Sequence, residues 1–276
     1  MWISDLITAL LSSRVPESVC VKEPFAPDPI FMKHLPLLLL FALLVSCAKE
    51  IPSEKLLTRG GLSYEINSDK PFTGSTVSFY DDGQLEGKIN YKNGKITGHT
   101  EAYYENGQLK EKGSYKDGEE DGPYESYDEN GQLWRKSSYK DGEKDGSYES
   151  YDENGQLEQK RFYKDGELDG LWEFYYKDGK LSSKTTYKDG ELDGLFEDYY
   201  ENGQLRVKGS YKDGKLDGLQ ERFYENGQLE SKGSYKNGEK GGLWEQYDET
   251  GQLKQKGSYK NGEEDGLWEY HENGQL

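Results

Sequence analysis

The sequence predicts an all-β protein, built as a single-layer, elongated meander of antiparallel β-hairpins. Three observations lead to this fold class. A glycine and a tyrosine recur with a period of 24 residues, each period contains two turn signals, and short runs rich in aromatic and β-branched residues separate the turns. Apolar residues at helical spacing do not occur in these runs, and glycine recurs too often for helices. The expected fold is therefore an array of small units stabilised by neighbouring hairpins.

The period is the most specific signal in the sequence, because composition bias does not produce many consecutive matches at one spacing. The glycine series is Gly74, Gly98, Gly122, Gly146, Gly170, Gly194, Gly218, Gly242 and Gly266. The tyrosine series is Tyr91, Tyr115, Tyr139, Tyr163, Tyr187, Tyr211, Tyr235 and Tyr259. Residues 70–276 are therefore predicted to form about nine repeat units, the last of them truncated.

Each unit contains two dipeptides that are typical of tight turns. The first is Asn-Gly or Asp-Gly before Gln-Leu, as at residues 201–205, and the second is Tyr-Lys-Asp-Gly, as at residues 211–214. Both predict two-residue type I′ loops, because Asn, Asp and Gly tolerate positive φ. The runs between the turns, such as residues 171–175, predict strands.

A two-residue loop at residues 202–203 sets a register that can be checked against the charges. It places Glu197 opposite Lys208, and the same Glu–Lys pair recurs in the complete units. Opposite charges across an antiparallel pair contribute roughly 0.2–1 kcal/mol, so the pattern favours structural ion pairs over a catalytic or cation-binding row of carboxylates. The predicted pairs include Glu125–Lys136, Glu173–Lys184, Glu197–Lys208 and Glu245–Lys256. Glu269 is expected to lack a partner strand.

The same register makes a second prediction, about aromatic rings. It sets Trp244 against Gly257 and Phe196 against Gly209, and a ring over a cross-strand glycine shields exposed backbone. Strand alternation then divides the side chains between two faces. In the unit at Gly170, one face is predicted to carry Trp172, Leu181, Tyr187 and Leu192, and the other Leu171, Glu173, Tyr175 and Lys184.

Composition narrows the function classes. Hydrophobic residues make up 32% of the chain and the formal net charge is -18, a balance that argues for a thin core and against a nucleic-acid partner. Aromatic residues at 13%, regularly spaced, argue against disorder. Cys20 and Cys47 both lie outside the array, and the three histidines are scattered. The sequence therefore predicts no catalytic set, no metal site and no cofactor, and the protein is not expected to be an enzyme.

The N-terminal segment is predicted to be an export signal. From Met32 a short polar start precedes an apolar run at residues 35–45, which is too short to span a bilayer and has the length of a signal-peptide core. The sequence Leu-Val-Ser-Cys at 44–47 resembles the lipobox of bacterial lipoproteins, which implies a lipid anchor on Cys47. We interpret residues 1–31 as a mis-called start, 32–47 as the signal peptide and 48–69 as a tether leading into the fold. The expected location is the cell envelope, with simple secretion or a cytoplasmic protein as alternatives.

The repeat unit resembles a known family. Tyr-Lys-Asp-Gly-x-x-Asp-Gly-x-Trp-Glu-x-Tyr-x-x-Asn-Gly-Gln-Leu, clear at residues 187–205 and 259–276, is similar to the MORN-repeat variant of bacterial proteins. The resemblance implies a run of hairpins in one elongated sheet. It also implies a relation to YwqK-type antitoxins of toxin–antitoxin systems, and so a toxin as partner. The chain departs from the pattern at the Trp position, which holds Tyr124, Tyr148, Phe196 and Gln220 in four units.

A long sheet with repeated aromatic residues predicts a protein-binding scaffold, because Trp and Tyr are favoured interface anchors. The candidate partner-binding residues are Trp172, Phe196, Trp244, Trp268, Tyr124 and Tyr148. Two alternatives remain open at this point. One is a cell-envelope glycan-binding module in which the rings stack on sugars, and the other is a passive surface lipoprotein.

Overall fold

The computed structural model describes residues 49–271, and within them the chain forms β-strands, one short 3-10 turn at Ser53–Lys55 and no α-helix. Three strands precede the array: β1 Glu50–Pro52, β2 Leu56–Arg59 and β3 Leu62–Glu65. The first half of the array contains β4 Gly74–Phe79, β5 Leu85–Lys92, β6 Lys95–Ile96, β7 Gly98–Tyr103, β8 Leu109–Lys116, β9 Glu119–Tyr127, β10 Leu133–Lys140, β11 Glu143–Tyr151 and β12 Leu157–Lys164. The second half contains β13 Glu167–Tyr175, β14 Leu181–Lys188, β15 Glu191–Tyr199, β16 Leu205–Lys212, β17 Lys215–Leu216, β18 Gly218–Phe223, β19 Leu229–Lys236, β20 Glu239–Tyr247, β21 Leu253–Lys260 and β22 Glu263–Tyr270.

The array is one antiparallel sheet in which strands pair in chain order from β4 to β22. The short segments β6 and β17 continue into β7 and β18 after a one-residue interruption at Thr97 and at Asp217. Counting each interrupted pair once, the described array contains 17 strands. The predicted fold, a single-layer meander of hairpins, is confirmed.

The Lys-Asp-Gly turns have the predicted geometry. Asp213 and Gly214 have φ values of 48° and 74°, and they connect paired residues as a two-residue type I′ loop. The Gly214 N–H then donates to the Leu192 carbonyl on a strand of the preceding hairpin, and the equivalent turns make this bond at 2.7–3.0 Å. Each turn is therefore also bonded to the preceding hairpin, which aligns the hairpins along one rim of the sheet.

The Asn-Gly turns differ from the prediction. Gly203 N–H donates to the Tyr200 carbonyl at 2.8 Å, and Tyr200 N–H donates to the Gln204 carbonyl, so the loop has three residues. Only Gly203 has positive φ, at 85°, while the Asn202 side chain accepts a hydrogen bond from Gln204 N–H. This is a type I turn followed by a left-handed glycine. The prediction of a two-residue type I′ loop was wrong because Asn202 contributes its side chain as an acceptor and keeps a negative φ.

The register predicted from the charges is nevertheless correct. The longer loop shifts the pairing by one residue, so that Tyr199 faces Leu205, and a β-bulge at Arg206 shifts it back. Glu197 therefore lies opposite Lys208 as predicted. The equivalent bulge at Ser182 changes one face assignment: Leu181 pairs with Tyr175 and lies on the Glu173 face, so its predicted place beside Trp172 was wrong.

The sheet has two distinct faces. We call the face that carries Trp172 and Tyr187 the ring face, and the face that carries Glu173 and Lys184 the charged face. Among residues 49–271, only a few apolar side chains are buried, and they are Ile51, Phe72, Phe196, Val207 and Trp244. A thin core of this kind fits the low apolar content, and most of the order must come from contacts between neighbouring strands.

The first strands cover the N-terminal edge of the sheet. β1 pairs in parallel with β4, and Ser63 of β3 donates its N–H to the Gly94 carbonyl at 2.8 Å. Phe72 is 4% exposed beneath this segment. From Glu50 onward, the part of the chain interpreted as a tether is thus folded against the array. The predicted start region, the signal peptide and Cys47 lie outside the described residues, as do residues 272–276.

Candidate partner-binding face

A single column of side chains crosses the centre of the ring face, one from every second strand. We call it the ring row. Its members are Thr76, Thr100, Tyr124, Tyr148, Trp172, Phe196, Gln220, Trp244 and Trp268. It therefore contains all six residues that the sequence suggested as partner-binding anchors.

The rings of this row pack on glycines of neighbouring strands. A Cβ added to Gly209 would lie 2.6 Å from Phe196, and a Cβ on Gly233 or Gly257 would overlap the rings of Trp244 or Trp268. Trp244 faces Gly257 in the register as predicted, but its ring leans back over Gly233. These positions require glycine, because a ring from the neighbouring strand occupies the volume that a Cβ would need.

Most rings of the row also contact a tyrosine of the 24-residue series. The centroids of Trp172 and Tyr187 are 5.6 Å apart, and those of Trp244 and Tyr259 are 5.8 Å apart. Such aromatic pairs contribute roughly 0.5–1.5 kcal/mol beyond the area that they bury. The two aromatic columns together replace the second layer that the sheet lacks.

Burial separates the six candidate anchors into two groups. Phe196 and Trp244 are 8% and 9% exposed and act as core residues, while the other four are half-buried. Phe174 lies beside Trp172, with centroids 5.0 Å apart, and is 37% exposed. Sequence reasoning did not single out Phe174, although alternation from Trp172 places it on the same face.

Arginine and lysine side chains of the same chain lie over several of the rings. The Arg161 guanidinium lies 5.0 Å from the Tyr148 centroid and 4.6 Å from that of Trp172. Lys240 lies 4.5 Å from the Trp244 centroid. Cation–π contacts of this type stabilise the face and occupy ring surface that a stacked ligand would need.

The charged face carries a continuous row in which lysines and glutamates alternate. Lys208 lies opposite Glu197 on one side and Glu221 on the other, and its ammonium contacts Glu221 at 2.6 Å. The same preference for the following strand occurs at Lys184–Glu197 (2.8 Å), Lys112–Glu125 (2.8 Å), Lys232–Glu245 (2.7 Å) and Lys256–Glu269 (3.0 Å).

The predicted partners are therefore opposed in the register, while the closest contacts mostly join adjacent hairpins. The prediction considered one hairpin at a time, whereas each lysine has a glutamate on both sides. Lys136, for example, lies between Glu125 and Glu149. Lys160–Glu149, at 3.2 Å, follows the predicted pairing. The expectation that Glu269 lacks a partner was wrong, because Lys256 reaches it from the preceding strand.

Tyrosine hydroxyls complete this row. Tyr127 donates to Glu125, and the hydrogen bond from Lys112 holds the pKa of Glu125 below its usual value. Burial, together with the hydrogen bond to Glu149, raises the pKa of Tyr151 to about 12. These shifts keep each group in its ordinary charge state near neutral pH, as in structural ion pairs.

Among residues 49–271, no three His, Cys, Asp or Glu side chains are grouped so that they could hold a metal ion. In the same range, no helix is long and apolar enough to cross a membrane.

Comparison with known families identifies the repeat. The family described as the MORN repeat variant matches eight consecutive segments, at residues 72–93, 96–117, 120–141, 144–165, 168–189, 192–213, 216–237 and 240–261. The chain belongs to the MORN repeat variant family. Each MORN segment after the first begins at the end of one type I′ turn and extends into the next such turn. The protein is thus a MORN repeat scaffold.

Solved structures add little to this assignment. The search of curated proteins found no match. One similar structure, "Crystal Structure of TcdB2-TccC3-Cdc42", is 11% identical with a TM-score of 0.20, covering 75% of this chain and 15% of that one. Another, "Crystal structure of GtfA/B complex bound to UDP and GlcNAc", is 13% identical with a TM-score of 0.15, covering 60% of this chain and 34% of that one. The chain spans a minor part of both, and at these scores neither bears on its function.

Proposed function

We propose that this MORN scaffold binds a protein partner through its ring face and catalyses no reaction. The observation that carries the proposal is the concentration of aromatic side chains on one face, with Phe174 exposed beside the half-buried Trp172. Aromatic residues that are partly exposed and rigidly held are typical interface anchors. The opposite face carries exposed leucines, such as Leu195, around a central row of ion pairs, and those pairs contribute little to binding energy.

A glycan-binding role is the less favoured alternative. Sugars bind aromatic side chains by stacking on an open ring face. Here Arg161 lies against both Tyr148 and Trp172, and Lys240 lies against Trp244. Side chains of a protein partner can bind at ring edges and between these cations, so a protein ligand fits the surface better.

Charge indicates the class of partner. A chain with a net charge of -18 attracts a basic protein and repels an acidic one at long range. The resemblance to YwqK-type antitoxins supports a toxin as the partner, neutralised by contact with the scaffold. A passive surface protein would show no such partner.

The proposed location is the cell envelope, through a lipid anchor on Cys47. The support is the lipobox-like sequence at residues 44–47 behind an apolar run of signal-peptide length. Metabolic labelling with a fatty-acid analogue should label the wild-type chain and leave Cys47→Ser unlabelled. Equal labelling of the two, or of neither, would contradict the anchor without affecting the binding proposal.

Affinity capture with two matched variants tests the binding face. The bait is the full chain, and the variants are Phe174→Arg on the ring face and Leu195→Arg on the charged face. Leu195 is 65% exposed, so both changes introduce a cation at an accessible position. A protein retained by wild type and Leu195→Arg but lost by Phe174→Arg would support the proposal. Retention of glycan alone, or equal retention by both variants, would contradict it.

A further inference from the structure

The ring face is interrupted near its N-terminal end by a cavity of about 430 Å³. We call it the socket. Its lining includes Thr76, Ile89, Thr100, Ala102, Gly113 and Tyr124, which come from strands β4 to β9. A volume of this size falls in the range of small-ligand sites, and lining that mixes apolar side chains with a few polar groups is typical of them.

The socket exists because the ring row changes residue type at this end. Thr76 and Thr100 occupy the positions that hold Tyr, Trp or Phe in most of the later units. The strand register does not change with them: Thr100 faces Gly113 as Trp244 faces Gly257. Gly113 is already covered by the Tyr124 ring, and Ile89 stands where Gly233 underlies Trp244. The smaller side chains at this end of the row leave open volume on a face that rings fill in most of the later units.

The socket also contains side chains of the kinds that pack around the rings in later units. Tyr115 lines the socket from the tyrosine column, which contacts the row's own rings in later units, as Tyr139 does with Tyr124 at 6.0 Å. Ile89 and Ile96 provide apolar surface on the same side. A planar aromatic group in the socket would therefore have the same kinds of neighbours as the rings that the chain supplies elsewhere.

Three glutamates line the socket, and because Glu101 belongs to the ion-pair row of the charged face, Glu86 and Glu111 set the charge of the site. Glu86 and Glu111 both line the socket, and Glu86 is exposed. The Tyr124 hydroxyl donates to one Glu111 oxygen at 2.6 Å, which fixes that side chain at the rim. A cationic group adjacent to the bound ring would be attracted by both carboxylates and by the net charge of the chain.

We propose that the socket receives an aromatic side chain of a protein partner, with a basic residue next to it in the partner's sequence. This inference rests on the proposed function and specifies one contact within it. A second copy of this acidic chain is a poorer occupant, since its charge would oppose docking at the two glutamates.

Titration of the full chain with short peptides tests the socket directly. The probe is N-acetyl-Lys-Trp-amide, followed through the methyl signals of Ile89, Ile96 and Ala102 by NMR. We expect saturable shifts of these signals, with binding roughly tenfold weaker for N-acetyl-Glu-Trp-amide. No saturable shift is expected for N-acetyl-Lys-Ala-amide. Equal binding of all three peptides, or none, would overturn the proposal.

Two variants of the same repeat position provide a matched control. Thr100→Trp supplies the missing ring and should abolish the peptide-induced shifts, whereas Gln220→Trp adds the same ring to the same row outside the socket and should leave them unchanged. Glu86→Lys, at an exposed position, should reduce Lys-Trp binding by roughly tenfold without depending on core packing. Undiminished binding to Thr100→Trp and Glu86→Lys would contradict the socket.

The outcomes also separate the socket from the general binding proposal. If a captured protein partner is lost by Phe174→Arg and retained by Thr100→Trp, the ring face binds the partner and the socket does not. If both variants lose it while Gln220→Trp retains it, the socket is part of the interface.

Discussion

The hairpins that form the socket and the hairpins near the C-terminal end have the same backbone and different side chains. In β7–β8, Thr100 faces Gly113 and Glu101 faces Lys112. In β20–β21, Trp244 faces Gly257 and Glu245 faces Lys256. One region leaves a cavity and the other buries an indole. Register is therefore set by the turns and their bulges and does not depend on a ring in the row. Ring-row positions are free to vary, and such positions can carry recognition without altering the fold.

The largest difference between the two regions is expected when a buried ring is removed. Trp244→Ala deletes an indole that is 9% exposed and contacts Tyr235 and Tyr259. We expect a loss of about 3 kcal/mol in the free energy of unfolding, since truncation of buried aromatic residues costs roughly 3–5 kcal/mol. Thermal and denaturant unfolding of the full chain measures it. Thr100→Ala is the matched control and should cost less than about 1 kcal/mol, and similar losses in the two variants would contradict the comparison.

Glycine-to-alanine substitutions test whether a ring of the row packs directly on the backbone, and their expected effect is smaller. Gly233→Ala places a Cβ into the Trp244 ring, which must shift, and we expect a loss of about 2 kcal/mol. Gly241→Ala, on the next strand, has no atom within 4 Å of its added Cβ. Its melting temperature should remain close to that of wild type. A Gly233→Ala protein as stable as Gly241→Ala would show that the ring does not press on the backbone.

The charged face should respond to pH in a manner independent of the rings. The hydrogen bond from Lys232 lowers the pKa of Glu245 below its ordinary value of 4.5. The carboxylate thus stabilises the folded state at pH values above 4.5, and that contribution is lost as the pH falls through the lower, folded-state pKa. Glu245→Gln should lower the melting temperature at pH 7 by about 1–2 °C. The difference should be smaller at pH 3 than at pH 7, because the carboxylate becomes protonated as the pH falls.

Two controls accompany that measurement. Glu153→Gln, in an exposed turn, should leave the melting temperature unchanged at both pH values. In the Trp244→Ala background, Glu245→Gln should have the same effect as in wild type, because the indole and the carboxylate lie on opposite faces. A difference as large at pH 3 as at pH 7 would show that Glu245 acts through packing and not through its charge.

Much of the fold followed from the sequence because its determinants are local. The 24-residue period predicted the strands, and Asp213-Gly214 predicted a type I′ turn that the structure confirms. The turn at Asn202-Gly203 was predicted with one residue too few. Propensity for positive φ does not reveal that the Asn202 side chain will accept a hydrogen bond from Gln204. The register survived this error because the bulge at Arg206 restores the pairing.

Contacts that depend on side-chain direction were harder to predict. The sequence gives each lysine of the charged row two glutamates at similar spacing, and only three-dimensional geometry shows that Lys184 contacts Glu197 more closely than Glu173. The socket did have a sequence signal. Thr76 and Thr100 stand in the column where later units carry aromatic residues, and aligning the first two units with the others would have exposed the missing rings.

Site-specific photo-crosslinking from the two faces tests the central claim most directly. A benzoyl-phenylalanine is placed at Phe174 on the ring face or at Leu195 on the charged face of the full chain, and cells are irradiated. Both positions are exposed, Phe174 at 37% and Leu195 at 65%, so the control position is the more accessible of the two. If the MORN scaffold binds its partner through the ring face, position 174 will yield a discrete protein adduct and position 195 will not. Adducts from position 195 alone, or none from either position, would contradict the account.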